Sequence, residues 1–273
     1  YNSMLLNPSG NKANLDPRYL SELDELPDRL RKRFRDGQFG EAGEGALWTD
    51  ELLEQQRVSN EIDIPEFQRI VIGVDPSGSR SVDDMHRDEI GIVVVGLGTD
   101  GCAYVLEDLT CRGSPEQWGK VACSAWQRWG ADRFVLETNF GGDMAAAVLR
   151  SAAAAMGREQ NVPFNIAISE VTASRGKVVR AEPISALYEQ QKVWHVEGLN
   201  MLEAELVNMT VAGYLGDRSP NRADALVWAC TALFHAVVKS SRDQASGRGA
   251  STPKINLGHA AMKQRRIGGM GYR

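Results

Sequence analysis

The segment Arg69–Asp75 (RIVIGVD) constrains the fold more than any other part of the chain. An apolar run of strand length with no polar alternation has no face to give to water, so it belongs at the centre of a sheet covered on both sides. The segments downstream supply such a sheet. Glu89–Leu97 and Ala103–Leu109 read as strands joined by Gly98-Thr99-Asp100-Gly101, whose Asp-Gly pair suits a tight antiparallel hairpin. Ser114-Pro115-Glu116-Gln117 combines an N-cap, a proline in the first turn and a capping-box glutamine, predicting a helix to about Trp129. Arg133–Glu137 is a fourth strand, and Gly141-Gly142-Asp143 opens an Ala-rich helix reaching about Met156. Phe164–Val171 is a fifth strand, followed by a basic loop Ser174–Arg180, a helix Ala181–Gln191, a short strand Val193–Val196 and a helix Leu199–Met209. A last helix, about Arg222 to Val238, places Ala225, Trp228, Ala229, Ala232, Leu233 and Ala236 on one face.

Three regions follow. Residues 66–238 form the α/β domain. Residues 1–65 read as a connector: Asp16–Gly37 carries Leu20, Leu23, Leu26, Leu30 and Phe34 at helical spacing, interrupted at Pro27, and Leu47, Trp48, Leu52 and Leu53 precede an acidic linker Glu61–Glu66. Residues 239–273 carry eight basic side chains against one acid and no apolar periodicity, which predicts a disordered basic tail. The domain itself is acidic, with fifteen basic against twenty-two acidic side chains, and this argues against a general nucleic-acid coat. An apolar content of 42% fits a globular core, and no apolar run approaches the ~18 residues of a membrane span. The start at Tyr1-Asn2-Ser3 lacks Met and a signal peptide, so an excised, unexported fragment is expected. Cys102, Cys111, Cys123 and Cys230 form no C-x-x-C pair and read as reduced thiols.

Chemistry is suggested by three carboxylates. Asp75 ends the first strand, Glu137 ends the fourth, and Asp224 lies in the first turn of the last helix. If the first and fourth strands are parallel neighbours, Asp75 and Glu137 emerge side by side and Asp224 can face them. Such a cluster repels itself and calls for a cation; oxygen-only ligands select hard divalent ions, and two ions ~4 Å apart can drive phosphodiester hydrolysis. Each residue also has a plainer reading, as a turn, cap or helix-dipole residue. Arg175, Lys177 and Arg180 form either a phosphate clamp or a solvated basic loop, with Lys177 the choice for backbone contact. Asp83, Asp84, Asp88 and Asp143 read as supporting or surface acids, and His86 and His195 as ordinary loop or strand residues. Trp118, Trp126 and Trp129 share a helix, where core packing is expected over base stacking.

These segments together resemble the nuclease domain of the large terminase subunit of tailed bacteriophages and gene-transfer particles. The resemblance rests on Ile72–Gly78 (IGVDPSG) with Asp88–Ile92, on Gly130–Glu137 (GADRFVLE) with Asn139 and Gly141–Met144, on Ala173–Lys177 (ASRGK) with Arg180–Pro183, and on Ser219–Trp228 (SPNRADALVW). It implies an α/β ribonuclease H-like fold, a mixed five-stranded sheet flanked by helices. It also implies a hydrolase, a DNA endonuclease that cuts concatemeric viral double-stranded DNA during packaging, using Mg2+ or Mn2+ (two ions) held by Asp75, Glu137 and Asp224. Relatives often carry an acid or His three residues before the last acid; Asn221 stands here and can ligate only through an uncharged amide oxygen. Implied partners are a portal protein, a small terminase subunit and an N-terminal packaging ATPase joined through residues 1–65, with no membrane; the implied location is the cytoplasm of a bacterial host. No G-x-x-x-x-G-K-[ST] loop occurs, so P-loop ATP hydrolysis by this chain is not expected. A ribonuclease H-like resolvase or repair nuclease, and a nuclease-inactive docking module of the motor, are the alternatives.

Overall fold

In the computed structural model, β1 (Phe67–Asp75) holds the interior position that its apolar run demands. The structure describes residues 45–58, 64–76, 89–138, 142–174 and 176–234. The expected helix at Asp16–Gly37, residues Asp83, Asp84, His86, Asp88, Asn139 and Arg175, and the basic tail lie outside the described residues. With β2 (Gly91–Gly98), β3 (Ala103–Asp108), β4 (Arg133–Glu137), β5 (Ile168–Val171) and β6 (Val193–His195), β1 builds a sheet in the order β5-β4-β1-β2-β3-β6. β2 runs antiparallel to β1 and β3, while β4 is parallel to both β1 and β5. The sheet therefore has six strands rather than five. The sixth, Val193–His195, pairs in parallel with Ala103–Val105 and covers backbone groups that β3 would otherwise leave open along its edge.

Six helices complete the described residues: α1 (Asp50–Gln55), α2 (Pro115–Trp129), α3 (Gly142–Gln160), α4 (Lys177–Glu189), α5 (Asn200–Leu206) and α6 (Asn221–Leu233). The Ser114/Gln117 capping box opens α2 as expected, and Gly130 ends it in the left-handed conformation at φ 57°. Several expectations shift: β5 begins at Ile168 and not at Phe164, and α3 runs on to Gln160. α4 begins at Lys177, a turn ahead of the predicted start, although Pro183 forfeits one intrahelical bond; ion pairs from Lys177 and Arg180 hold the added turn. The helix expected through Met209 stops at Leu206, and β7 (Met209–Thr210) and β8 (Gly213–Tyr214) form a small hairpin whose Gly213 takes φ 137°, open to glycine alone.

Strand alternation divides the core in two. Ile70, Ile72, Val74, Ile92, Val94, Phe134 and Leu136 pack with Trp118 and Ala122 of α2 and Ala146 and Leu149 of α3. Val71, Val93, Val95 and Val135 pack on the opposite side with α4, α5 and α6. Trp118 is buried and Trp126 stacks on Phe134 with ring centroids 4.9 Å apart, the packing roles expected of them. All four cysteines are free. Trp48 and Leu53 are fully buried in the α6 side of the core, so residues 45–58 pack into the domain. They are fastened further by a buried chain in which the Tyr188 hydroxyl meets His195 Nε2 at 2.7 Å, His195 Nδ1 meets Glu203 at 3.2 Å, and Arg57 donates to Glu203 at 3.0 Å.

α6 is buried on every side from Asn221 to Cys230 rather than along one stripe, because it is sandwiched between the sheet and the helices α4 and α5. Its seat is made by two glycines. A β-carbon at Gly73 would fall on the Ala225 carbonyl, and one at Gly91 on the Asn221 carbonyl. Gly73→Ala should therefore lift α6 and cost about 2 kcal/mol or more, read as a lowered urea midpoint; an unchanged midpoint would contradict the seating. Burial alone would raise the Glu203 carboxyl, yet His195 and Arg57 hold it down at about 2. A depressed folded value means stability present above the ordinary 4.5 and lost as the pH falls from there towards 2, on the order of 3 kcal/mol. The stability advantage of the native chain over Glu203→Gln should shrink across that window in urea titrations.

Candidate active site

β1 and β4 are parallel, and Val74 pairs with Leu136, so the next residues, Asp75 and Glu137, leave the sheet side by side. Alternation sends both towards α6: they share the parity of Val71 and Val135, which pack on that side. Asp224, in the first turn of α6, meets them there. Asp75 and Asp224 are buried. Burial pushes the Asp75 carboxyl well above the usual carboxylate range, the negative charges of Asp224 and Glu137 push it further, and Lys177 and Arg180 pull the other way. Burial raises Asp224 as well, against the same two cations.

Arg180 lies between the acids. Its guanidinium donates to Glu137 at 3.3 Å and to Asp224 at 3.1 Å, with the carbon centre 4.6 Å above the Trp228 ring. Lys177, one turn earlier on α4, brings its ammonium to 2.5 Å from Asp224 Oδ2 and 2.8 Å from the Ser219 hydroxyl. The two differ in access: the Arg180 side chain is 7% exposed and that of Lys177 is 41% exposed. Trp228 donates its indole N–H to Glu137 Oε2 at 2.6 Å. Sequence reasoning placed Trp228 in the core by its periodicity and missed this bond. Its spacing of four residues from Asp224, which puts both on one helical face, was the available signal. Asn221 donates from Nδ2 to the Glu89 carbonyl at 2.6 Å, and its Oδ1 is buried without a hydrogen-bond partner among the described residues.

The donor chemistry suits a hard divalent cation: carboxylates from three elements crowd one pocket, and an unsatisfied amide oxygen sits at the start of α6. As the side chains stand, no group of three or more His, Cys, Asp or Glu among the described residues is arranged to hold an ion, and Lys177 and Arg180 supply the neutralising charge. The site is an acid cluster in which two cations face three carboxylates, not a closed metal cage.

The family described as "Terminase RNaseH-like domain" matches residues 72–236, from within β1 past the end of α6. The chain belongs to this family. The mixed six-stranded sheet of this terminase domain, flanked by helices, is the ribonuclease H-like fold. Among solved structures it resembles a mutant large terminase subunit from bacteriophage Sf6 with calcium, at 15% identity and TM-score 0.49 over 67% of this chain and 97% of that one. It also resembles the human cytomegalovirus terminase nuclease domain, Mn soaked and inhibitor bound, at 14% identity and TM-score 0.49 over 70% and 98%. No curated protein sequence matches it. No described helix of the terminase domain is long and apolar enough to cross a membrane.

The arrangement gives opposite expectations for the two charge signs. Arg180→Met strips Glu137 and Asp224 of a buried shared partner and should destabilise the terminase domain by about 3 kcal/mol. Asp75→Asn removes one of three mutually repelling acids and should leave metal-free stability level or higher. Urea melts in chelator check both, and an Arg180→Met protein as stable as its parent contradicts the assignment.

Proposed function

We propose that the chain is a divalent-metal-dependent endonuclease that hydrolyses phosphodiester bonds of double-stranded DNA, cutting concatemeric viral genomes during packaging. The observation that carries this reading is the convergence of Asp75, Glu137 and Asp224, from two parallel strand ends and one helix, in a domain of the terminase ribonuclease H-like family. Asp75, Glu137 and Asp224 would hold Mg2+ or Mn2+, with the Asn221 amide oxygen as a weak fourth donor. The metal would supply an activated water and stabilise the leaving oxygen. The chain's own groups do the positioning: Trp228 and Arg180 fix the Glu137 carboxylate, and the glycine seat fixes Asp224 against Asp75.

Lys177 and Arg180 divide the basic role. Lys177 is exposed enough to exchange its contact with Asp224 for a phosphate oxygen and to stabilise charge developing there. Arg180 acts on DNA through the acids it orients, and Arg175, two residues before Lys177 in the sequence, would add a further phosphate contact. The partners this reading implies are double-stranded DNA, a portal protein, a small terminase subunit and a packaging ATPase, in the cytoplasm of a bacterial host.

The test is cleavage of linear, branched and RNA–DNA hybrid substrates by the purified chain with Mn2+, Mg2+ or chelator. Linear duplex should be cut with Mn2+ at least as well as with Mg2+, since Mn2+ tolerates an incomplete ligand set, and not at all in chelator. Asp75→Ala, Glu137→Ala and Asp224→Ala should each reduce cutting by at least a hundredfold. Lys177→Ala should lower the single-turnover rate more than DNA affinity. Preference for branched DNA would move the reading to a resolvase, absence of all cutting to a docking module, and full activity in chelator would remove the metal.

A further inference from the structure

α6 carries Asp224, yet its start has no cap of its own. The N-cap residue is Pro220, and no side chain from the preceding loop bonds the exposed amides. Glu205 of α5 does so from outside: its Oε2 accepts from the Ala223 N–H at 3.1 Å, the bond that an N-cap side chain normally provides. Its Oε1 accepts from Arg222 at 3.0 Å. The same guanidinium reaches Glu89, ahead of β2, at 2.7 Å and Asp108, at the end of β3, at 3.0 Å. One buried arginine thus ties the first turn of α6 to three carboxylates, on α5, on β3 and in the segment before β2.

Such a ring is a poor way to gain stability, because each charge must leave water and apolar side chains would fill the space at less cost. Burial pushes the Glu205 carboxyl up to about 7 even against Arg222 and the Ala223 amide. What the ring does provide is direction. Positions 222 and 224 are about 200° apart around a helix, so Arg222 grips the turn on the side opposite Asp224. On the sheet side the same turn rests on Gly91, which pairs with Asp75 across β1 and β2. With the ring on one side and the glycine seat on another, the turn can neither slide nor roll.

We propose that Arg222 is a positioning residue: its three-carboxylate ring sets the seat of α6 and thereby delivers the Asp224 carboxylate and the Asn221 amide oxygen to Asp75. The inference rests on the acid cluster being the metal-dependent hydrolytic centre proposed above. The geometry requires the planar fork of arginine, which a lysine ammonium cannot copy to three acceptors.

The experiment is calorimetric titration of the full chain with Mn2+ alone, without DNA, well below the melting temperature, beside single-turnover cleavage. Arg222→Lys should fold, keep DNA affinity within about twofold, bind Mn2+ at least tenfold more weakly and cut at least tenfold more slowly. A folded Arg222→Lys protein with native Mn2+ affinity overturns the proposal whatever its cutting rate. Should that variant not fold, Glu205→Gln carries the same test, because it keeps the size of the side chain while turning one of the two acceptors that serve the Ala223 N–H and Arg222 into a donor. Weakened Mn2+ binding by the folded variant supports the role, and unchanged binding overturns it. A parent chain that binds no Mn2+, or an Asp224→Asn chain that binds it as the parent does, instead overturns the acid-site reading.

Discussion

The contact on which the structure depends is backbone against backbone: the carbonyls of Ala225 and Asn221 occupy the space that β-carbons would need at residues 73 and 91. A helix normally stands off a sheet by the depth of the intervening side chains, and here that depth is removed at two points. Asp75 stands two residues beyond Gly73 and directly across the ladder from Gly91. The close approach therefore occurs at the one place where it decides how near the helix acid comes to the strand acids. The rest of the α6 side of the core, from Trp48 and Leu53 through Ile184, Leu187 and Leu202, holds the helix down on that seat.

Bringing three carboxylates together opposes folding, and the molecule offsets this locally. Arg180 bridges Glu137 and Asp224 above the Trp228 ring, and Lys177 meets Asp224 from the more open side. The buried cation is enclosed with the acids it pairs, while the exposed one faces solvent. A second ring of charge around Arg222 lies on the far side of the same helical turn. The first turn of α6 is consequently held by ion pairs on two flanks and by van der Waals contact on a third. This is a costly construction for stability alone and a reasonable one where carboxylates must be held within a fraction of an ångström.

Much of the fold was legible before the structure. Unbroken apolar runs marked β1 and β2, the Asp-Gly pair marked the β2–β3 hairpin, and Ser114 with Gln117 marked the start of α2, because each of these signals is local. The differences arose where a distant contact outweighed a local preference. The basic run Ser174–Arg180 read as a loop, which put the helix start at Ala181, and ion pairs to Glu137 and Asp224 drew the start back to Lys177. The β7–β8 hairpin has two residues in each strand, too few for any periodicity, and its place is fixed by the pairing of Ala46 with Thr210 and of Leu47 with Met209. Of the site, Asp75, Glu137 and Asp224 were legible by their positions at element ends; the bond from Trp228 and the ring around Arg222 were not, since both residues read as ordinary members of an apolar helix.

By itself the sequence determined most of the strands and helices, which strand end or helix turn carries each acid, and the family to which the motifs point. These follow from periodicity, capping chemistry and residue order, all short-range properties of the chain. Only the tertiary structure decided that α6 lies against Gly73 and Gly91, that Arg180 turns inward while Lys177 stays accessible, and that Glu205 caps a helix eighteen residues away. The physical reason is that burial and charge are properties of the assembled core. Whether an arginine meets water, a phosphate or two buried carboxylates depends on what packs around it, and no local pattern records that.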